Sequence, residues 1–544
     1  MHHLSCDVAV IGSGLAGLCA AYACSRKNLR VMVCSKSRPA SGSCTAISQG
    51  HFRSSVPGFS PEEHRQLTLE AGQGLNRTRI LDLLVEQAES SLRELKALGV
   101  PLNKQAKGFE SAARRIGLEG VSITKPLVEQ VRGRGVSFVF PFHAWRIVTV
   151  DGWAVGVLGF EGPGAQPAYV QAKAVIVATG GAGALYARTD NPQSMTGSGY
   201  ALAYHAGLPL MDMEFVQFYP LCLASESRTC RLLHPVLAEI GTLTNAQGES
   251  IARIHNIQRR PLAIAARDEL CQAMMQEVFA GRGVDRSIAL RLDAQDRAWR
   301  QAEQDLGFPG LGELQDWVRA KLADRDFLPV LPAAHFCMGG LVIDEHCRTG
   351  LPGLLAAGEV VGGLHGANRY GGNALSEAAV FGKIAGQEAA RTAAGVKESA
   401  SGPEKALDWC REQLKSLEQE QSPGQAVSGQ HVKRQLQDLM WQEAGVLRSG
   451  ESLHRALDGL LNLKTGPGPQ GDTGKKLISR LEVLDAILAA EIVVRSALMR
   501  RESRGAHCRT DFPEMSREWE GHVIVHQDGL SFQAGNEPAG LGSV

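Results

Sequence analysis

Three glycines near the start of the chain, Gly12, Gly14 and Gly17, stand in the spacing G-x-G-x-x-G. Placed between a buried strand and a helix, that spacing binds the pyrophosphate of a dinucleotide. Gly12 allows the sharp turn out of the strand. Gly14 lets the backbone approach the phosphates, and Gly17 lets the helix pack on the sheet. Ser13, Leu15 and Ala16 complete the turn. A bare strand–helix turn would use the same glycines, but here strand, turn, helix and second strand follow in the right order and length. At the end of the second strand, where a carboxylate often holds the ribose, the chain has Ser35 and Lys36, so NAD gains no support. The segment 41–50 carries Ser43, Cys44, Thr45, Ser48, Gln49 and Gly50. Its small and hydroxyl-bearing residues suit a flat polar ligand, although an ordinary loop reads much the same. Two later apolar runs also end in glycines: one at Gly180 and Gly181, the other at Gly358 followed by Glu359. Ser198 lies in a Thr-Gly-Ser-Gly turn opening a helix. Asn373, Ala374 and Leu375 close a glycine-rich loop before another helix, whose first amides can stabilise an anion. Arg267 closes the apolar run 262–266 and, taken alone, reads as a solvated helix arginine.

These residues need a sheet to position them. Residues 8–11 and 29–34 are short β-branched runs suited to buried parallel strands, joined by a helix over 15–25. Helical patterns fill 61–99 and 126–134, and a strand is expected over 136–140. Residues 145–160 and 168–177 read as a meander. A helix is expected over 200–206 and strand texture over 213–220. Residues 221–335 change character, with charged helices expected over 293–305 and 314–324, and look like an insertion. Strand texture resumes at 335–344 and 353–359, and a long helix follows over 376–393. After a linker at 395–405, three apolar stripes begin at Val432, Leu453 and Leu477, with a Gly/Pro-rich loop over 464–475 before the last. They predict amphipathic helices packed as a bundle. A short strand is expected over 521–525.

The length of 544 residues allows several domains. Lys plus Arg and Asp plus Glu both number 57, giving no net charge, and no basic run suggests nucleic acid. The 12 cysteines form no C-x-x-C pair, which argues against an internal iron–sulfur or zinc site. Their scatter through apolar elements suits buried thiols in a reducing compartment. No apolar stretch is long enough to span a membrane. A strand starting by residue 8 leaves no room for a signal peptide, so a cytoplasmic location is expected.

Taken together, these motifs resemble the flavoprotein subunits of succinate dehydrogenase and fumarate reductase, together with L-aspartate oxidase. The resemblance runs nearly end to end. It extends to the stretches 213–218, 365–369 and 502–507, and to 438–442 with 448–453. It implies an α/β fold: a Rossmann-like FAD-binding domain with an inserted α+β capping domain and a C-terminal helical bundle. The expected division is 1–224 and 336–394 for FAD binding, 225–335 for the cap, 403–502 for a three-helix bundle and 503–544 for an extension. The resemblance implies hydride transfer between flavin N5 and a carbon next to a carboxylate. Arg267 corresponds to the family's proton-shuttle arginine, and His335 and Arg369 to its carboxylate clamp. A bidentate guanidinium suits that clamp.

The departures from the family are informative. The histidine that carries flavin covalently is Cys44 here, which implies dissociable FAD. A substrate histidine is Tyr219, and the aspartate of Thr-Gly-Asp-Gly is Ser198. The Thr-Glu-x-x-Arg segment aligns with Leu233, His234 and Leu237, leaving His234 as a substitute proton relay. The FAD scaffold survives, whereas half of the dicarboxylate site does not. The leading expectation is an oxidoreductase acting on fumarate, succinate or a related unsaturated acid. Its electrons would be exchanged with a separate iron–sulfur subunit, which could hold it at the inner membrane face. Two other readings stand beside it. One is a soluble L-aspartate oxidase-like enzyme, favoured by Cys44 and disfavoured by the run 108–115. The other is an FAD-holding electron-transfer subunit with little substrate chemistry of its own.

Overall fold

A computed structural model of the chain describes residues 1–56, 58–104, 109–111, 119–224, 230–292, 299–301, 311–396, 402–419, 427–466 and 474–537. The organising element is a five-stranded sheet in the order Leu354–Ala356, Ala174–Val177, Val8–Ile11, Val31–Cys34 and Ser137–Val139. Every pair is parallel. The four strands from Leu354–Ala356 to Val31–Cys34 are buried throughout, as their unbroken apolar runs require when helices or a second sheet cover both faces. Register matters most for function. Val177 pairs with Ile11 and Ala356, and Ile11 pairs with Cys34. The residues that follow, Gly12, Ser35, Ala178 and Ala357, therefore emerge side by side at the carboxyl edge, where open α/β sheets bind ligands.

Two helices cover one face. Leu15–Ser25 packs along Asn373–Gly395. Gly382 and Gly386 lie one turn apart at this contact, and a Cβ on either would come within 2.4 Å of the Ala16 or Ala20 carbonyl oxygen. The glycines thus set the helix separation. A second sheet holds the meander Phe142–Val150, Trp153–Glu161 and Gln166–Gln171, with His2–Ser5 added parallel to the last.

The insertion hangs on two long antiparallel strands, Val216–Leu223 and Leu328–Cys337. Ile288–Leu292 and Gly241–Thr244 extend that sheet. The cap has an apolar core of its own, including Leu237, Leu270, Met274, Leu290 and Leu314. Helix Gly312–Leu322 matches the second expected charged helix. The first, over 293–305, falls largely outside the described residues, as do residues 397–401 of the linker expected over 395–405 and most of 108–115.

The three predicted C-terminal helices are Gly429–Glu443, Gly450–Thr465 and Gly474–Met499, and they pack on one another. A fourth helix, Gly402–Gln419, lies outside the three apolar stripes. It buries Ala406, Cys410 and Leu417 against Trp145, Leu158 and Tyr169 of the meander rather than against the bundle. The last segment then returns to the first domain. Strand Gly521–His526 pairs with Leu210–Met211, and Asp212 Oδ2 lies 2.5 Å from His522 Nδ1. The same joint contains the buried Arg500 guanidinium, 2.5 Å from Glu214 and 3.0 Å from Glu502, while Arg504 Nε lies 2.8 Å from Glu502. The stretches 213–218 and 502–507, noted above for their family likeness, meet here. No described helix is long and apolar enough to cross a membrane. Among the described residues no cluster of three His, Cys, Asp or Glu is placed to hold a metal.

Candidate active site

One cavity of about 290 Å³ runs from the carboxyl edge of the parallel sheet to the underside of the cap. Its sheet end is a backbone cradle. Gly12 has φ +119°, and a Cβ there would sit 2.1 Å from the Ala178 carbonyl oxygen, so only glycine fits. A Cβ on Gly14 would meet nothing closer than 3.7 Å, which leaves the room a pyrophosphate needs beside the helix start. Ser13 and Ser35 hydroxyls lie 2.8 Å apart across the turn. The Leu15 amide donates to Thr45 Oγ1 at 3.2 Å, joining the 41–50 segment to the helix. Lys36 is drawn to Glu482 of the C-terminal bundle at 3.2 Å.

Most of the predicted cofactor residues line this cavity: Gly12, Ser13, Gly14, Leu15, Ala16, Ser35, Lys36, Ser43, Cys44, Thr45, Ser48, Gln49, Gly50, Gly180, Ser198, Glu359, Ala374 and Leu375. Three lie behind the wall. A Cβ on Gly17 would sit 2.1 Å from the Gly12 carbonyl oxygen, so its role is packing. Gly181 backs onto the Glu359 carboxylate in the same way. Asn373 is fully buried and spends its amide on His64 Nε2 at 2.8 Å and Thr68 Oγ1 at 3.0 Å, pinning the start of its helix.

Under the cap the chain brings together residues from distant segments. Arg267 is the first residue of helix Arg267–Phe279, and His335 lies near the end of strand Leu328–Cys337. Arg369 precedes helix Asn373–Gly395, whose turn is made by Gly372 at φ +89°. All three line the cavity, with Tyr219 and Asp190. Arg369 Nη2 donates to Gln217 Oε1 at 2.8 Å, and its guanidinium lies 4.9 Å from the centre of the Phe336 ring. Arg267 Cζ lies 5.6 Å from the Tyr219 ring centre. The Tyr219 hydroxyl donates to the Leu233 carbonyl at 2.8 Å, so burial and that bond leave it neutral. His335 Nδ1 lies 2.7 Å from Asp190 Oδ2. Burial lowers the His335 pKa below the usual histidine value, and Asp190 works against that shift. His335 is therefore held as an oriented imidazole whose other nitrogen is left for a ligand.

Several of these partners escaped sequence reasoning. Asp190 and Asn191 carry no local motif, and the partner of Gln217, inside the stretch 213–218, shows only in the fold; each bonds to a residue 144–152 positions away. Gln217 also donates to Asn368, and Asn368 donates to Asp268 Oδ2. Asp268 follows Arg267 in sequence, and burial pushes its carboxyl up to about 6. A polar chain thus links the Arg267 helix to the Arg369 clamp. His234 stands apart. Its Nδ1 accepts the Val236 amide at 3.2 Å, and the cavity is lined by its neighbours Leu232 and Pro235 rather than by His234 itself. Burial drives its pKa down to about 3, with His51 as a second cause.

The cradle fits FAD. The glycine turn accepts a pyrophosphate, the Thr179 hydroxyl is buried on the cavity wall without a partner, and Glu359 is placed to hold hydroxyls. Cys44 occupies the wall as a thiol 3.4 Å from Asn191 Oδ1, and burial raises its pKa well above the ordinary value. A parallel nucleotide-binding sheet, a cap inserted over it and a cluster of basic residues at their junction define a capped FAD flavoprotein. Residues 7–375 match the FAD binding domain family, and residues 433–538 match the fumarate reductase flavoprotein C-terminal family. The chain belongs to the family of fumarate reductase and succinate dehydrogenase flavoproteins, and it is an FAD-dependent oxidoreductase.

It is 32% identical over 544 residues to one of the subunits of fumarate reductase (CoM/CoB) from Methanothermobacter marburgensis, covering 96% of this chain and 97% of that one. It is 33% identical over 553 residues to L-aspartate oxidase of Streptomyces coelicolor, covering 96% and 91%. Among solved structures, E. coli quinol fumarate reductase FrdA superposes with a TM-score of 0.85 at 25% identity, covering 99% of this chain and 98% of that one.

Proposed function

We propose that this chain transfers hydride between FAD and a carbon next to a carboxylate, acting on fumarate, succinate or a related unsaturated acid. One observation carries the reading. Arg267 Nε and Nη1 and Arg369 Nε are buried beside a single cavity without hydrogen-bond partners. A buried guanidinium lacking acceptors is costly, and a bound carboxylate supplies both the acceptors and the counter-charge. Arg369 feels this most. Burial and the nearby Arg267 charge both press its pKa downward.

FAD, when bound, supplies hydride chemistry at its N5 position. The chain's own residues do the rest. Arg369 and His335 hold the substrate carboxylate, Asp190 fixes the His335 ring, and Gln217 fixes the Arg369 fork. Arg267 holds the proton delivered to, or taken from, the carbon next to the one that exchanges hydride. The cap sheet closes the site against water, which strengthens every charge–charge contact inside. Electrons are exchanged with a separate iron–sulfur protein, because this chain has no cluster motif of its own. Through such a partner the chain could sit at the inner membrane face. The second reading, an oxidase forming an imine from an amino acid, draws on the L-aspartate oxidase likeness and on Cys44 in place of a flavin-carrying histidine.

The test is to reduce the FAD-loaded protein without oxygen and then add fumarate and a panel of other unsaturated acids. Return of the oxidised flavin spectrum supports the proposal. Arg267→Ala should slow that return by about 100-fold or more, the usual weight of a positioned proton donor. Reoxidation by oxygen after L-aspartate, with no response to any unsaturated acid, would favour the oxidase. No response to either, with reoxidation only by a partner protein, would favour an electron-transfer subunit.

A further inference from the structure

The cap contributes apolar as well as basic residues to the chamber beneath it. Leu232, Pro235 and Ile264 form an apolar wall of the same cavity. Ile264 belongs to the short helix Leu262–Ala265, one turn before Arg267. Leu232 and Pro235 belong to the loop that receives the Tyr219 hydroxyl at Leu233, and the Tyr219 ring faces both Arg267 and His335. The apolar wall and the guanidinium cluster thus bound the same space.

Nothing on that wall can pair with a second negative charge. Among the described residues lining the cavity, the permanent cations are Lys36, Arg267 and Arg369. Lys36 stands at the far, sheet end and is paired with Glu482. Arg53 is the next guanidinium on this side. It lies over the Tyr370 ring at 4.5 Å, donates to the Gly371 carbonyl at 3.2 Å and does not line the cavity. Burial pushes His51 down to about 4 and His234 to about 3, so both are uncharged at neutral pH. The Tyr219 hydroxyl is already spent on the backbone. Leu233 and Leu237 stand where the family resemblance places a threonine and an arginine, and both are buried in the apolar core of the cap. A carboxylate pressed against this wall would lose its water and gain no partner.

We infer that the acid bound here is a monocarboxylic acid with an apolar remainder: its single carboxylate is held by Arg369 and His335 beside Arg267, and its hydrocarbon end lies against Leu232, Pro235 and Ile264. This rests on the carboxylate reading given above and narrows its substrate class. Apolar contact rewards a methyl or aryl end, while the unpaired desolvation penalty excludes a second carboxylate.

The test is calorimetric binding to the oxidised, FAD-loaded protein, comparing succinate, butanoate and 3-phenylpropanoate. Butanoate is succinate with one carboxylate replaced by methyl. It should bind at least about tenfold more tightly than succinate, and 3-phenylpropanoate more tightly still. Leu232→Arg should reverse the order by giving succinate its missing partner. Succinate binding as tightly as butanoate would overturn the inference while leaving the carboxylate site intact. An unchanged ligand order in a folded Leu232→Arg protein would overturn the placement of the hydrocarbon end. Failure of all three acids to bind would remove the carboxylate reading itself, and the inference with it.

Discussion

Replacing Gln217 by leucine should weaken carboxylate binding by about 10- to 150-fold while leaving the chain folded. Gln217 is fully buried on strand Val216–Leu223, with Arg369 against it. Its Oε1 accepts from Arg369 Nη2 at 2.8 Å, and its Nε2 donates to the Arg369 carbonyl at 3.1 Å. The first of these bonds has a charged donor, and such a bond is worth about 1.5–3 kcal/mol. At about 1.4 kcal/mol per factor of ten, losing it accounts for the stated range. Leucine has similar volume, so the packing cost is small. The assay is the dissociation constant of whichever acid reoxidises the parent flavin, read from the oxidised spectrum, with the thermal midpoint measured alongside. Gln217→Glu is the companion variant. A carboxylate at that position keeps the guanidinium in place but cancels its charge, so affinity should fall while the midpoint holds or rises. Parent-like affinity in a folded Gln217→Leu protein would refute the reasoning. It would mean that the Phe336 stack, at 4.9 Å, orients Arg369 without help.

Acid precipitation should release all the FAD, because burial keeps the Cys44 thiol protonated and a thiol is a poor nucleophile. Flavin fluorescence retained on the denatured polypeptide would contradict this. Burial raises the Glu359 carboxyl to about 7, and the charged form is the better acceptor for a ribose hydroxyl. FAD affinity should therefore weaken as pH falls through about 7, by no more than about tenfold per pH unit, and Glu359→Gln should flatten the profile. Titration of the apoprotein by flavin fluorescence quenching from about pH 8 to about pH 6 measures both effects. Arg500→Met should destabilise the joint between the first domain and the C-terminal segment by about 3–5 kcal/mol, since it leaves Glu214 buried without its counter-charge and takes one of the two guanidinium partners from Glu502. An unchanged urea midpoint would count against that network.

The nucleotide cradle was legible in the sequence because its information is local. Strand Val8–Ile11, the glycine turn and helix Leu15–Ser25 are contiguous, and Gly12 and Gly17 each answer a steric demand within a few residues or across one neighbouring strand. The bundle helices were legible for the same reason, since an apolar stripe repeats within each segment. Helix Gly402–Gln419 shows the limit. Its docking on the meander depends on Trp145 and Tyr169, which are far away in sequence.

The site divides in the same way. Arg267, His335 and Arg369 could be picked out through family likeness, but a residue type does not say where its hydrogen bonds go. Tertiary structure decided that Asp190 holds His335, that Gln217 holds Arg369 and that Tyr219 turns its hydroxyl to the backbone. It also separated His234 from the cavity that its neighbours line. Each of these outcomes depends on how the cap's two long strands register against each other and against the parallel sheet. That register is set by the packing of segments 100 residues or more apart, where the burial of each polar group must be balanced by a partner that no local pattern specifies.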